Sequence, residues 1–413
     1  MTVSSVQHPD SVGDALSKCG LGACALVLAF LAAGCATFQP PTTADKALRR
    51  LQPHEYPLFT DDMPADTFEQ AVGASLEYLR RLDPQTAFQF GPDRFTAAHL
   101  IDTLEAFGSL LRSGPSAETL QRAVKRDYRV YRSVGSDGKG HVLFTGYYEP
   151  VIAGCLAPTA QCRYPVYRRP DDLVRIDLGL FAPKYAGESL AGRYTGQTVV
   201  PYFTRRQIDV EGRLAYRDLE LAWVPDPLDL FFLHVQGSGR LLLDDGRVFH
   251  VHYDGTNGHP YRSIGKLLMD EGRVPSDEMS MQRIKDYLRA NPHLMERILS
   301  HNPSYVFFRF AERGPLGCLD VPLTGGRSVA TDKRLFPMAA PAFIVSRKPL
   351  LDARGTISRW TGFGRFVLNQ DTGGVIKGPG RVDLFWGGGP FAETAAGHMR
   401  EEGALYFLVL KPG

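Results

Sequence analysis

DTGGVIKGPGRVDLFWGGGP, residues 371–390, is the stretch on which the reading of this chain turns. Seven of its twenty residues are glycine, and two aspartates, Asp371 and Asp383, stand twelve positions apart. RVDLFWG has the period of a strand: Val382 and Leu384 face one way, and Asp383 faces the other beside Arg381 and Phe385. A carboxyl group set among bulky apolar neighbours loses hydration, which raises its pKa and suits it to donate a proton near neutral pH. In DTGG, Gly373 and Gly374 let backbone amides approach a carboxylate or a ligand closely. Lys377 lies with Arg381 in the glycine-and-proline loop between the aspartates.

Three readings of these aspartates stay open on spacing alone. Two carboxyl groups near one cleft fit glycoside cleavage, where one protonates the leaving oxygen. Both side chains also suit the plain task of satisfying backbone N–H groups in tight turns. Asp-Thr-Gly is also the signature of pepsin-like proteases, whose chemistry needs two such carboxylates sharing a proton. This chain has one Asp-Thr-Gly; Asp332 sits in ATDKR, with no glycine two places on.

The 413 residues allow two domains with real cores, and 44% hydrophobic against 22% charged residues is a globular composition. A net charge of +2 leaves no basic footprint for nucleic acid. Forty-two glycines and 29 prolines indicate many turns and much β structure.

The N-terminus carries an address. Leu21 to Ala33 is an uncharged run, too short to span a membrane and suited to a signal-peptide core. Ala33 and Gly34 before Cys35 resemble the lipobox of bacterial lipoproteins, in which the cysteine is acylated and begins the mature chain. Ala32 replaces the usual leucine, and a plain secretory signal is the alternative. Residues 36–50 are expected to form a tether. No aspartate follows Cys35, which by Gram-negative sorting rules points to a lipid anchor in the outer membrane, facing the periplasm. In that oxidising compartment a disulfide between Cys155 and Cys162, which bracket LAPTAQ, is expected. Cys318 is read as a buried thiol beside Leu316 and Leu319.

Helical spacing recurs in Phe68, Val72, Leu76 and Leu79, then in Leu100, Leu104, Phe107 and Leu111, then in Leu120, Val124 and Tyr128 behind Ser116. From HVLFTGYYEP (141–150) the period becomes that of strands, with a hairpin turning at Asp245-Gly246. DPLDLFFLHV is read as one short helix capped by Asp226, with Pro227 in its first turn. Helices return between Ser276 and Leu299, and strands follow from YVFFRF to ALYFLVLKP. The layout predicts a mixed domain, residues 51–146 and 258–413, interrupted by an inserted β domain at 147–257.

Other residues have chemistry to offer. HVQGSG supplies Gln236, Gly237 and Ser238 on a glycine turn, suited to acetamido or hydroxyl groups. Glu149 is a second acid candidate, though Pro150 beside it reads as a bend. His250, His252 and Asp254 form a row with zinc-ligand spacing; alternation on the hairpin favours a solvated face instead. No pair of CxxC motifs exists, and no metal or cofactor is expected.

FTGYYEP (144–150), PYFTRRQID (201–209), HVQGSGRL (234–241), YDGTNGHPY (253–261), NPSYVFF (302–308), GPLGCLDVPLTGGRSVATD (314–332) and DTGGVIKGPGRVDLFWG (371–387) together resemble the membrane-bound lytic murein transglycosylase A family. The resemblance runs from about residue 50 to the C-terminus. It implies a mainly β, α+β fold: a double-psi β-barrel with accessory helices, an inserted second β-barrel-like domain, and a groove between them. The last hundred residues resemble the family's three-aspartate domain, the three being Asp332, Asp371 and Asp383. Implied by the resemblance is cleavage of the β-1,4 bond between N-acetylmuramic acid and N-acetylglucosamine in peptidoglycan, leaving 1,6-anhydromuramyl ends. Asp383 would act as acid and then base, Asp371 would support it, and Asp332 would be structural. Thr145, Gly146, Tyr147 and Tyr148 would line the groove, and Trp386 or Phe385 would offer a face to a sugar ring or pack in the core. Exo-action and other cell-wall enzymes as partners rest on the resemblance alone. A lipoprotein that binds peptidoglycan without turnover is the alternative, and an intact RVDLFWG argues against it.

Overall fold

The computed structural model describes residues 43–412; Cys35 and the signal run lie outside them. Six strands close on themselves: β1 (Val142–Glu149), β2 (Ser328–Ala330), β3 (Pro341–Leu351), β4 (Ile357–Asp371), β5 (Arg381–Gly388) and β6 (Arg400–Leu410). Around the ring the order is β6-β3-β4-β2-β5-β1, and β1 pairs back onto β6. The β2–β4 and β5–β1 pairs are parallel and the others antiparallel. Parallel neighbours need long crossovers, and here the β1-to-β2 crossover contains the whole second lobe.

The barrel is filled by alternate side chains, including Val142, Phe144, Val329, Val382, Leu384 and Phe407. Helices α1 (Ala65–Leu79) and α2 (Ala97–Arg112) lay their apolar stripes on it, with Phe68 and Phe107 edge-on to Phe366 of β4. Helix α3 (Ala117–Asp127) starts at Ser116, whose hydroxyl accepts from the Thr119 amide at 3.2 Å. Tyr128, expected as its last apolar position, instead opens a strand paired with β6. Leu48–Arg50 adds a further strand beside it. Part of the predicted 36–50 tether is therefore folded: burial of Ala47 and Leu48 ties it to the barrel.

The second lobe closes too. Strands 306–311, 248–256, 238–242 and 151–153 form a sheet, and strands 220–224 and 164–167 form a ribbon. Single bridges, Cys155 to Trp223 and Arg168 to Phe308, join sheet and ribbon at both edges. All six strands send residues into one core: Ile152, Val166, Val224, Leu241, Val251 and Phe308, with Leu230 and Leu233 from α4 (Pro227–Gln236). The Cys155–Cys162 disulfide sits where one bridge closes the ring.

This corrects the predicted insert boundary of 147–257. Strand 306–311 belongs to the insert's sheet, because Val306 and Phe308 point into its core. The helices before it, 264–270, α5 (Met281–Ala290) and 295–300, pack on the barrel side through Ile264, Leu268, Ile284, Leu288 and Ile298. The chain therefore returns to the insert once more than its sequence showed. Among the described residues no helix is long and apolar enough to cross a membrane.

Candidate active site

Asp371 ends β4 and Asp383 lies in β5, and each is paired in register with Ala330 of β2 between them. Register partners share a face, so both carboxyl groups project from the side of the sheet opposite Val329 and Leu384. Strand β1 adds Thr145 opposite Asp383 and Tyr147 opposite Phe385 on that same face.

Thr145 Oγ1 stands 2.7 Å from Asp383 Oδ1, and Arg381 Nη2 donates to the same Oγ1 at 3.1 Å. Guanidinium only donates, so the hydroxyl proton must point at Asp383. Oδ1 is thereby held, and Oδ2 makes no hydrogen bond among the described residues. Burial pushes the Asp383 carboxyl up to about 6, against the pull of Thr145 and Arg381 and with help from the Asp371 charge.

Asp371 is more fully engaged. Its Oδ1 accepts from the Cys318 and Thr372 amides at 2.9 and 2.8 Å, and its Oδ2 accepts from the Tyr147 hydroxyl at 2.9 Å. Burial nevertheless raises it to about 6. Tyr147, whose ring leans on Phe385 at 5.1 Å, is pushed well above the ordinary phenol value by burial and by the Asp371 charge. Among the described residues no hydrogen bond joins the two carboxyl groups, so they are not a proton-sharing protease pair.

The third aspartate does another job. Asp332 is buried and pairs with Arg334 at 2.7 Å while accepting from the Gly378 amide at 3.0 Å. Burial opposes its ionisation, but these partners prevail and hold its carboxyl down at about 2. It clasps the 372–380 loop that carries half-buried Gly373, exposed Gly374 and exposed Lys377.

Several predicted sugar contacts lie elsewhere. Trp386 has the parity of Leu384 and is buried in the barrel, its ring 5.7 Å from the Arg365 guanidinium. Gly146 faces it: a Cβ there would come within 2.6 Å of the indole Nε1, so this glycine serves packing. Phe385 is also buried. Tyr148 is buried on the face away from Asp371, its hydroxyl donating to Glu393 at 3.2 Å. Gln236 ends α4 rather than riding a turn, and its Oε1 accepts from the Tyr148 amide at 3.0 Å. Gly237 follows with φ 80° as the helix stop, and Ser238 is buried.

Glu149 is buried against Arg240 at 3.1 Å and His250 at 3.3 Å, and burial raises its pKa against both. His252 is not on a solvated face; burial drives it down to about 4. No group of three histidine, cysteine, aspartate or glutamate side chains among the described residues is placed to hold a metal ion. Cys318, expected to be buried, is exposed, and its contribution is the backbone amide given to Asp371. Arg381 and that amide are site groups which sequence reasoning did not assign; their partners lie on distant strands and only the register reveals them.

A six-strand ring bearing these carboxyl groups, with a second ring inserted between β1 and β2, defines a two-domain class. Residues 143–309 match the MltA specific insert domain, and residues 327–409 match the 3D domain. The membrane-bound lytic murein transglycosylase A of Vibrio cholerae serotype O1 is 36% identical over 282 residues, covering 67% of this chain and 68% of that protein. Its Escherichia coli K12 counterpart is 34% identical, with 68% of each covered. A membrane-bound lytic murein transglycosylase from Agrobacterium tumefaciens superposes with a TM-score of 0.71 at 34% identity, over 88% of this chain and 98% of that one. E. coli MltA with bound chitohexaose gives 0.67 at 27% identity, over 90% and 96%. The chain belongs to the MltA family of membrane-bound lytic murein transglycosylases.

Proposed function

We propose that this chain cleaves the β-1,4 bond between N-acetylmuramic acid and N-acetylglucosamine in peptidoglycan, with Asp383 as the single acid and base. The observation that carries the proposal is the asymmetry of Asp383: Oδ1 is occupied by Thr145, Oδ2 has no partner among the described residues, and burial keeps the group protonated to about pH 6. The transferable proton therefore sits on Oδ2. It passes to the glycosidic oxygen as the C1–O bond breaks. The carboxylate left behind takes the C6 hydroxyl proton of the same muramic sugar, and that oxygen closes on C1. The proton returns to Oδ2, and the 1,6-anhydro end forms without water.

Asp371, locked by three donors, supports the site by its charge, which favours the protonated acid next door. Tyr147 is half-buried on the catalytic face and is the aromatic group best placed to meet a sugar there. Acylation of Cys35 would hold the protein at the outer membrane, within reach of the cell wall. Digestion of murein sacculi in ¹⁸O-water tests the chemistry. Anhydro ends free of ¹⁸O are expected, and labelled reducing ends would replace this reading with hydrolysis.

A further inference from the structure

Strand β1 turns its second tyrosine toward a different cavity. Tyr148 lines a space of about 340 Å³ on the far side of β1 from Tyr147, at the junction of both lobes. Its other walls include Asp229 of α4, Lys285, Asp286 and Arg289 of α5, and Glu393 of α6 (Pro390–His398).

Charges of both signs meet here, and the lysine among them is held only loosely. The Lys285 side chain is 12% exposed, and its ammonium lies 3.4 Å from both Asp229 and Glu393. Tight ammonium–carboxylate bonds run about 2.7–2.9 Å, so this cation is shared and open to a better partner. Arg289, one turn along the same face of α5, holds Asp226 at 3.0 Å. Asp286 is exposed and has no ion-pair partner among the described residues.

We propose that this cavity binds a short peptide carrying a free ammonium and a free carboxylate, the chemistry of peptidoglycan stem peptides; the inference rests on the function proposed above. The ligand carboxylate lies between Lys285 and Arg289, and its ammonium meets Asp286 and Asp229. The volume suits a ligand of this size.

The test uses the full chain and a synthetic tripeptide ending in a diamino acid with free ammonium and carboxylate. Calorimetry should show binding that Lys285→Met and Asp286→Asn each weaken roughly tenfold, as for loss of one charge-assisted contact. In turnover, the same variants should raise KM about tenfold on stem-bearing strands, leave kcat alone, and change neither value on peptide-free glycan. Free tripeptide that competes with stem-bearing strands assigns the cavity to the strand being cut; tripeptide that binds without competing assigns it to a neighbouring strand's stem. No binding by the unaltered chain, or equal binding by both variants, overturns the proposal. Calorimetry reads the cavity whether or not anhydro products form, so the two proposals fail separately.

Discussion

Asp371 and Asp383 face each other across one residue: Ala330 of β2 is the register partner of both. Two backbone spacings of about 4.8 Å separate their strands, close enough for charge to act and too far for a shared proton. Hydrogen bonding divides the pair: three donors hold Asp371, whereas Asp383 is held at Oδ1 alone among the described residues.

That split sets the pH profile. Burial holds the Asp383 carboxyl at about 6, so on the role proposed for it kcat/KM should fall tenfold per unit above that pH. The Asp371 charge raises Asp383 and Arg381 lowers it. Asp371→Asn should therefore move the fall to lower pH and Arg381→Gln to higher pH. Two pH–rate series measure both shifts, and shifts of the same sign would contradict the arrangement.

Stability carries the same signature. The Asp383 carboxyl titrates near 6 when folded and near 3.8 otherwise, so the folded state holds its proton more tightly. Stability contributed by this group falls as pH rises from about 4 to about 6 and stays lower above. Asp383→Asn should accordingly stabilise the fold at pH 7, by about 1–3 kcal/mol, and do little at pH 3.5. Urea unfolding at the two pH values checks the difference.

The parity of RVDLFWG was legible, because alternation is local: it set Asp383 apart from Val382 and Leu384. The same parity placed Trp386 with the core, so its burial was readable and a sugar-stacking role was the weaker inference. Thr145 as the partner of Asp383 was not readable, since parallel pairing of β1 with β5 joins residues 238 positions apart. YVFFRF announced a strand at 306–311 but not its neighbour; the insert's core, not local pattern, claims Phe308. Cys318 misled because adjacent leucines implied full burial, whereas the residue lies exposed in a turn next to Asp320 (φ 57°), with only its Sγ turned inward to the Gln370 carbonyl at 3.9 Å.

Arg327 predicts the largest loss of stability. It is wholly buried, paired with Asp61 at 2.7 Å, and donates to the carbonyls of Met63, Pro64 and Phe366. Arg327→Met leaves the half-buried Asp61 carboxylate and three carbonyls without their donor. Unfolding free energy should drop by about 3–5 kcal/mol in denaturant titration.

The disulfide should matter to the insert. Opening Cys155–Cys162 with paired serine substitutions frees the segment next to the Cys155–Trp223 bridge. A loss of about 2 kcal/mol is expected by calorimetric unfolding, reported by insert signals before barrel signals.

The most direct test concerns Asp383 itself. The rate of anhydromuramyl-end formation from sacculi should be measured for the chain without residues 1–35 and for its Asp383→Asn variant, alongside glycan binding. The account predicts retained binding and a rate lower by roughly 10³-fold or more, since one group performs both proton transfers. A folded variant that forms anhydro ends within tenfold of the unaltered rate would contradict it.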